Sequence, residues 1–176
     1  MLINLTDVFT SEGKVTQIQV DLEMETYTYQ HVAYTITDKT PINLTFSNAG
    51  NGKTHMEGSV KLTMMLSCDR CLKDVEQEFA LSFTEDLLSP EAVDETAEEW
   101  EEGRDFMEGY SINIEDLISN EILINWPTKV LCSEACKGIC KQCGKDLNEG
   151  DCGCDTFVPD PRMAVIKDIF NANKEV

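Results

Sequence analysis

Apolar and polar residues alternate through two stretches in the first half of the chain. Apolar side chains recur at every second position in residues 60–66, and a similar spacing returns in residues 75–83. Such alternation is typical of β-strands that bury one face. The two stretches flank Cys68 and Cys71. The sequence therefore predicts a β-hairpin whose connecting turn is a Cys-x-x-Cys motif.

Shorter segments rich in β-branched residues predict further strands before this hairpin. They lie at residues 15–22, 31–37 and 42–46. Residues 48–52 read Asn-Ala-Gly-Asn-Gly, which is the strongest turn signal in the chain. We expect residues 1–83 to form a mostly antiparallel β body.

The pattern changes to a helical period after residue 109. A short strand is predicted at residues 110–114 and a helix at residues 115–126, with acidic residues in its first turn and Pro127 just after its end. A second helix is predicted to begin at Asp160-Pro161-Arg162, with Asp160 as its N-cap. The first helix carries an apolar stripe that we assign to the core, formed by Leu117, Ile118, Ile122 and Trp126.

Together these elements predict an α+β protein. It has a mostly antiparallel β N-terminal body, two short helices and a C-terminal cysteine-rich, zinc-binding module. We expect three regions: the β-rich body with its Cys-x-x-Cys hairpin (1–83), an exposed acidic loop (84–109), and a strand, helix, cysteine module and final helix (110–176). The third region is expected to pack with the first as one domain.

Negative charge is concentrated in one part of the sequence. The net charge of the 176-residue chain is −19, and residues 84–121 contain fourteen acidic residues and one basic residue. Proteins attract nucleic acid mainly through Lys and Arg, so a general affinity for polyanions is excluded. The acidic loop is expected to be a solvated segment or, alternatively, a binding tail for a basic protein.

The sequence shows no sign of a membrane or export segment. No apolar run is long enough to cross a bilayer, and the N-terminus lacks the basic region, apolar core and cleavage site of a signal peptide. We expect a soluble, cytoplasmic protein whose cysteines stay reduced.

Eight cysteines in four close pairs provide the candidate chemistry. Six of them fall within residues 132–154. Two cysteines separated by two residues can reach one Zn²⁺ ion from a tight turn, and four thiolates complete a tetrahedron. Gly144 and Gly153 permit the positive φ that turns backbone amides and neighbouring thiols towards such an ion. These features predict a first metal site, site 1, formed by Cys140, Cys143, Cys152 and Cys154.

The remaining four cysteines are assigned to a second site, which would clip the upstream hairpin to the C-terminal module. Site 2 consists of Cys68, Cys71, Cys132 and Cys136. Other partitions stay open, such as Cys136 replacing a member of site 1, and so do one or two structural zinc ions. Disulfides are the alternative, because sequence alone does not fix connectivity.

An ordered set of these motifs resembles the YceD family. The matching pieces are Cys68-x-x-Cys71-Leu72, the acidic loop, Glu121-Ile-Leu-Ile-Asn-Trp-Pro127, Cys132-x-x-x-Cys136-Lys-Gly-Ile-Cys140-x-x-Cys143-Gly-x-x-Leu147, Cys152-x-Cys154 and Asp160-Pro-Arg162. The resemblance implies a role in the accumulation of large-subunit ribosomal RNA, and hence in ribosome assembly. It implies no catalytic residues, and the family's cysteine positions map onto all eight cysteines here.

The favoured hypothesis is a non-enzymatic ribosome-biogenesis factor with structural zinc, acting on ribosomal or assembly-factor proteins. Direct rRNA contact through Lys129, Lys137, Lys141 and Lys145 is a further expectation. A small-molecule substrate is not expected. One alternative is a zinc-stapled protein-interaction adaptor with no ribosomal role. Another is a thiol- or zinc-dependent enzyme, although four protein ligands leave no open position on the ion.

Overall fold

The computed structural model describes residues 1–92 and 105–154. The predicted helix from Asp160 and the central part of the predicted acidic loop lie outside the described residues. The described elements, in chain order, are β1 (Leu2–Asn4), α1 (Thr6–Thr10), β2 (Val15–Val20), β3 (Thr26–Tyr29), β4 (Val32–Lys39), β5 (Ile42–Gly50), β6 (Lys53–Ser67), β7 (Asp74–Leu88), β8 (Met107–Glu108), β9 (Ser111–Asn113) and α2 (Ile114–Ile124).

The predicted α+β class is wrong, because the described residues are mainly antiparallel β. Strands account for 47% of them and helices for 11%. The hairpin strands extend well beyond the alternating stretches that revealed them, since β6 and β7 are 15 residues long each. Helix α2 has 11 residues and α1 only five. Two helices this short do not form a helical layer of their own.

Strand β6 is the centre of a six-stranded antiparallel sheet. It pairs with β7 along its whole length, from Lys53↔Leu88 to Ser67↔Asp74. On its other edge the first half of β6 pairs with β5 and the second half with β4. Strand β2 extends the sheet beyond β5, and β3 extends it beyond β4. The hairpin predicted around Cys68 and Cys71 is therefore present.

The alternation of apolar and polar residues in these strands matches the alternation of buried and exposed side chains. Met56, Leu62 and Met64 of β6 are fully buried, as are Leu44 and Phe46 of β5. The polar residues between them point to the opposite face, as the two-residue period of a strand requires. Fully burying a large apolar side chain stabilises the fold by about 1.5–3 kcal/mol.

A tight turn joins β5 to β6. Asn51 and Gly52 both have positive φ, at 53° and 71°. That conformation suits the two-residue hairpin turn favoured by Asn-Gly. Strand β5 continues through Asn48 to Gly50, so the turn occupies only the end of the predicted 48–52 segment.

Asn48 is a buried polar residue, and its side chain is satisfied by the backbone. Its amide nitrogen donates to the carbonyls of Val8 at 2.6 Å and Phe9 at 2.9 Å. Its amide oxygen accepts from the Gly50 backbone N–H at 2.7 Å. These bonds satisfy carbonyls in helix α1, which the sequence pattern did not predict. A buried amide with all these partners avoids the cost of an unsatisfied polar group.

Helix α2 follows a second, three-stranded sheet with the order β1-β9-β8. Asn113 is its N-cap and accepts from the Glu115 backbone N–H at 3.2 Å. Leu117, Ile118 and Ile122 are fully buried, as the stripe predicted. The fourth member, Trp126, is half-buried and packs against the rings of Tyr27, Tyr29, Tyr34 and Phe79 at centroid distances of 4.6–5.9 Å.

The chain divides into two compact units. Unit 1 comprises residues 1–67 and 74–130, and unit 2 comprises residues 68–73 and the chain from residue 131 onward. The turn between β6 and β7 thus belongs to unit 2. Within residues 1–92 and 105–154, no helix is long and apolar enough to span a membrane.

Gly58 provides a test of the packing in unit 1. It is buried opposite Phe83, and a Cβ atom at Gly58 would overlap the Phe83 ring. Gly58→Ala should therefore lower the free energy of unfolding by about 1–3 kcal/mol, because the ring has to move in a filled core. Urea unfolding measures the change.

The control is Ser59→Ala, at the neighbouring exposed position, which should change stability little. Gly58→Ala should cost less in a Phe83→Leu background, because leucine leaves room for the added methyl group. Equal costs in both backgrounds would show that the Phe83 ring is not the obstacle.

Candidate metal centres

The turn between β6 and β7 presents the first Cys-x-x-Cys pair. The Cys68 N–H donates to the Lys73 carbonyl at 2.8 Å, and the Leu72 N–H donates to the Cys68 carbonyl at 2.9 Å. The backbone amides of Arg70 and Cys71 point at the Cys68 sulfur. Both thiols are buried. The curled backbone therefore surrounds the Cys68 sulfur with N–H donors, an arrangement that is common around metal-binding thiolates.

The second Cys-x-x-Cys pair repeats this turn. The Cys140 N–H donates to the Lys145 carbonyl at 2.8 Å, and the Gly144 N–H donates to the Cys140 carbonyl at 2.8 Å. The amides of Cys143 and Gln142 point at the Cys140 sulfur. The same six-residue turn, residues 68–73 and 140–145, is thus built twice from different sequences.

The two turns differ at the residue that follows the second cysteine. Gly144 has φ +73°, whereas Leu72 occupies the same left-handed region at φ +61°. Left-handed backbone costs a non-glycine residue about 1–2 kcal/mol. The Leu72 side chain is 65% exposed, so burial returns little of that cost.

Site 2 brings its four predicted members together within unit 2. The Sγ atoms of Cys68 and Cys136 are 3.9 Å apart, and those of Cys71 and Cys132 are 3.5 Å apart. All four lie within 4.8 Å of one another. Zinc–sulfur bonds of about 2.3 Å in a tetrahedron place sulfurs about 3.8 Å apart. These sulfur positions therefore fit a tetrahedral ion.

Site 1 also brings its four predicted members together. The sulfurs of Cys140, Cys143, Cys152 and Cys154 lie within 4.8 Å of one another. Gly153, which has φ +72°, lies between Cys152 and Cys154. Cys140 is buried, Cys143 is exposed, and the other two are half-buried. Site 1 is therefore the more solvent-accessible of the two.

All eight thiols are free rather than paired in disulfides. Disulfide sulfurs lie about 2 Å apart, well inside the separations in site 2. The structure thus gathers the cysteines into the two sets that the sequence indicated. Their binding of metal remains a prediction.

One thiol in each site is set up to ionise. Burial acts to raise the pKa of Cys68, but the backbone amides around the sulfur outweigh it and lower the pKa to about 6. The amides of Cys143 and Gln142 lower the pKa of Cys140 to about 6 as well. A thiolate is the form that binds metal, so each turn prepares one ligand in advance.

Another thiol in each site resists ionisation. The neighbouring Cys143 and Cys152 raise the pKa of Cys154 to about 12. The Lys73 amide favours the Cys71 thiolate, but burial and the adjacent thiols prevail and raise its pKa to about 12. Four close sulfurs cannot all be negative without a compensating charge. A divalent cation supplies that charge and deprotonates its ligands.

Four further residues support site 2, and the sequence pattern did not identify them. Arg70 donates to the Cys136 carbonyl at 2.6 Å. Lys73 pairs with Asp146 at 2.6 Å, and the Asn148 amide donates to the Cys136 sulfur at 3.5 Å. An Asp-x-Asn segment between two ligand pairs was the available signal, since these residues favour turns. Of the lysines considered for RNA contact, Lys145 donates to the Asp151 carbonyl at 3.0 Å.

The repeated turn gives a matched pair of substitutions. Leu72→Gly should relieve left-handed strain and stabilise its turn by up to about 1 kcal/mol, after the entropy cost of glycine. Gly144→Ala should destabilise the other turn by about 1 kcal/mol, although a Cβ atom there has open space within 4 Å. Hydrogen exchange at the Cys68 and Cys140 amides, which close the two turns, measures each change.

Each variant serves as the control for the other, because the exchange rate should change at one amide only. An increase of up to about fivefold in protection at Cys68 in Leu72→Gly is expected. Reduced protection there would mean that the leucine side chain stabilises the turn.

Comparison with known proteins places this chain among relatives of partly known role. An uncharacterized protein of Mycobacterium tuberculosis is 35% identical over 91 residues, covering 51% of this chain and 43% of the relative. An uncharacterized protein of Mycobacterium bovis matches to the same extent. A chloroplastic protein of Arabidopsis thaliana, named large ribosomal RNA subunit accumulation protein YCED homolog 1, is 28% identical over 131 residues.

The Arabidopsis match covers 58% of this chain and 40% of the relative, so the chain spans less than half the length of the relatives described here. No solved structure matches the chain significantly. The family model described as large ribosomal RNA subunit accumulation protein YceD matches residues 56–170. That range covers most of the chain and includes all eight cysteines, and the chain therefore belongs to the YceD family.

Proposed function

We propose that this chain is a non-enzymatic ribosome-biogenesis factor that supports the accumulation of large-subunit ribosomal RNA. Membership of the YceD family, whose description names that role, is the observation that carries the proposal. The Arabidopsis relative carries the same description in its name. We place the activity in the cytoplasm, where thiols stay reduced.

Two structural zinc ions form the second part of the proposal. Site 1 would be held by Cys140, Cys143, Cys152 and Cys154, and site 2 by Cys68, Cys71, Cys132 and Cys136. The sulfur separations of 3.5 and 3.9 Å support a tetrahedral ion in site 2. Four thiolates favour zinc over the oxygen-seeking Mg²⁺ and Ca²⁺. Structural zinc stabilises small folds by about 10 kcal/mol or more per site.

A structural role is favoured over a catalytic one by the number of ligands. Catalytic zinc keeps one coordination position for water or substrate, whereas four protein ligands fill every position. Each gathered set supplies four sulfurs. Bound zinc would also reduce the reactivity of the exposed Cys132 and Cys143 thiols, which disfavours a thiol-dependent enzyme.

Charge supports action through proteins more than through RNA. In unit 2, the described residues 68–73 and 131–154 contain five basic and five acidic side chains. Two zinc ions with eight thiolates would add a charge of about −4 to that balance. RNA affinity rests on an excess of Lys and Arg. Basic ribosomal proteins or assembly factors therefore fit this acidic chain better as partners.

Metal content is the most direct test of the zinc proposal. Protein purified without chelators should contain two zinc ions per chain. Cys68→Ser and Cys140→Ser should each lower the content by one ion, because each substitution removes a ligand from a different site. Elemental analysis, divided by the protein concentration, measures the number of zinc ions per chain.

Ser133→Ala, at the residue next to Cys132 but not one of the eight cysteines, is the matched control and should retain both ions. Protein that carries no zinc as purified, with eight titratable thiols, would refute metal binding. A site with three protein ligands and a water molecule would revive the enzyme alternative.

The ribosomal role is tested in cells that lack the gene. They should show a lower ratio of large- to small-subunit ribosomal RNA, and the wild-type gene should restore it. The double variant Cys68→Ser, Cys140→Ser should fail to restore the ratio, because unit 2 would lose both ions. RNA electrophoresis and sucrose-gradient profiles of ribosomal subunits measure the effect.

Ser133→Ala should restore the ratio fully. Normal rRNA ratios and subunit profiles in the deletion strain would overturn the ribosomal role. If affinity capture then recovered only non-ribosomal partners, the zinc-stapled adaptor would become the better interpretation.

A further inference from the structure

The loop between Cys143 and Cys152 contains ligands of site 1 at its ends, but its central residues reach site 2. The Asn148 side-chain nitrogen donates to the Cys136 sulfur at 3.5 Å. The Asn148 side-chain oxygen accepts from the Lys137 N–H at 2.7 Å. One amide thus holds a site 2 ligand both by its sulfur and by the backbone that follows it.

The orientation of this amide is determined by its partners. The Lys137 N–H can only donate, so it faces the Asn148 oxygen and leaves the nitrogen for the sulfur. Asp146 reinforces the arrangement, because its Oδ1 accepts from the Asn148 backbone N–H at 2.8 Å and from the side-chain nitrogen at 2.7 Å. When the loop is ordered, these partners therefore direct the Asn148 nitrogen towards the Cys136 sulfur.

The same loop also holds the other half of site 2. The Asp146 Oδ2 atom forms an ion pair with the Lys73 Nζ atom at 2.6 Å, and the Asp146 side chain is only 15% exposed. Lys73 lies two residues after Cys71 and closes the turn through its carbonyl. Asp146 and Asn148 together thus bind both segments that supply site 2.

Backbone contacts join the segments further. The Leu147 N–H donates to the Gly138 carbonyl at 2.9 Å, and the Ile139 N–H donates to the Arg70 carbonyl at 3.1 Å. Ile139 also forms a β-bridge with Asp146. Residues 136–140 begin with a ligand of site 2 and end with a ligand of site 1. Ordering the backbone around one site therefore also orders the backbone around the other.

We infer that the two sites bind metal as a coupled pair, and that Asn148 is the positioning residue through which site 1 strengthens site 2. This inference rests on the proposed zinc binding and extends it. Metal in site 1 fixes both ends of the loop that carries Asn148, so the entropy cost of ordering the loop is met before site 2 fills. The coupling is reciprocal, so metal in site 2 strengthens site 1 by the same factor.

Cadmium binding to the full-length chain tests the coupling. Each four-thiolate site gives its own cadmium NMR resonance, and Cys68→Ser and Cys140→Ser assign the two. Titration with a competing chelator then gives the affinity of each site separately. Asn148→Asp keeps the acceptor for Lys137 but removes the donor to Cys136. It should lower the affinity of site 2 by about tenfold, the usual effect of removing a hydrogen bond to a metal-binding side chain.

The decisive measurement repeats this substitution with site 1 disabled by Cys140→Ser and Cys143→Ser. Disabling site 1 should itself lower the affinity of site 2 by about tenfold, because the loop loses its anchors. Asn148→Asp should then have little further effect, of about twofold or less. A contact that merely stabilises unit 2 would cost the same in both backgrounds, and equal losses would overturn the inference.

The adjacent Glu149→Ala is the matched control. Its ion pair with Lys73 is 3.6 Å long and 71% of its side chain is exposed, so it should change neither affinity appreciably. The site 1 resonance must persist in Asn148→Asp, which shows that unit 2 is folded. Two cadmium ions bound independently would refute the coupling but leave zinc binding intact, whereas no binding at either site would refute both.

Discussion

The structure of unit 2 depends on holding four sulfur atoms around one point from segments far apart in sequence. Cys71 and Cys132 are separated by 61 residues, yet their sulfurs are 3.5 Å apart. Closing a loop of that length costs conformational entropy, and gathering four ionisable thiols adds electrostatic cost. The raised pKa of Cys71, to about 12, reflects the second cost. A divalent cation bound to all four sulfurs would offset both costs, because it would hold the segments together and neutralise half of the thiolate charge.

The Cys-x-x-Cys turn is the local structure that makes this possible. Its curl points two amides at the first sulfur, and that geometry requires left-handed backbone after the second cysteine. Gly144 adopts the conformation readily, whereas Leu72 adopts it under strain. The hydrogen bonds of the two turns are nearly equal in length, at 2.8–2.9 Å, so the backbone geometry prevails over residue preference. Strain of this kind persists where the surrounding structure enforces it.

The sequence was most informative where chemistry and spacing coincide. Close cysteine pairs indicated both sets of four, and alternating residues indicated β6 and β7, since these signals are local. The predicted fold class was wrong because strand content was underestimated. The alternating pattern showed that a strand was present but not how far it extends, and β6 has 15 residues although only seven of them, residues 60–66, gave the signal. Helix α1 was missed because it has five residues, and its carbonyls depend on Asn48, about forty residues away. Asp146 and Asn148 were missed for a similar reason, because their partners Lys73 and Cys136 lie in other segments of the chain.

The electrostatics of unit 2 bear on how a protein of this family can act in ribosome assembly. Its five basic side chains are balanced by five acidic ones in the described residues. Three of the basic groups already have internal partners: Arg70 with the Cys136 carbonyl, Lys73 with Asp146, and Lys145 with the Asp151 carbonyl. Side chains engaged in such internal contacts are poorly placed to displace counterions from a phosphate backbone. Under the proposed function, the partners would be proteins that themselves hold the RNA, because a surface without an excess of positive charge suits basic proteins better than phosphate.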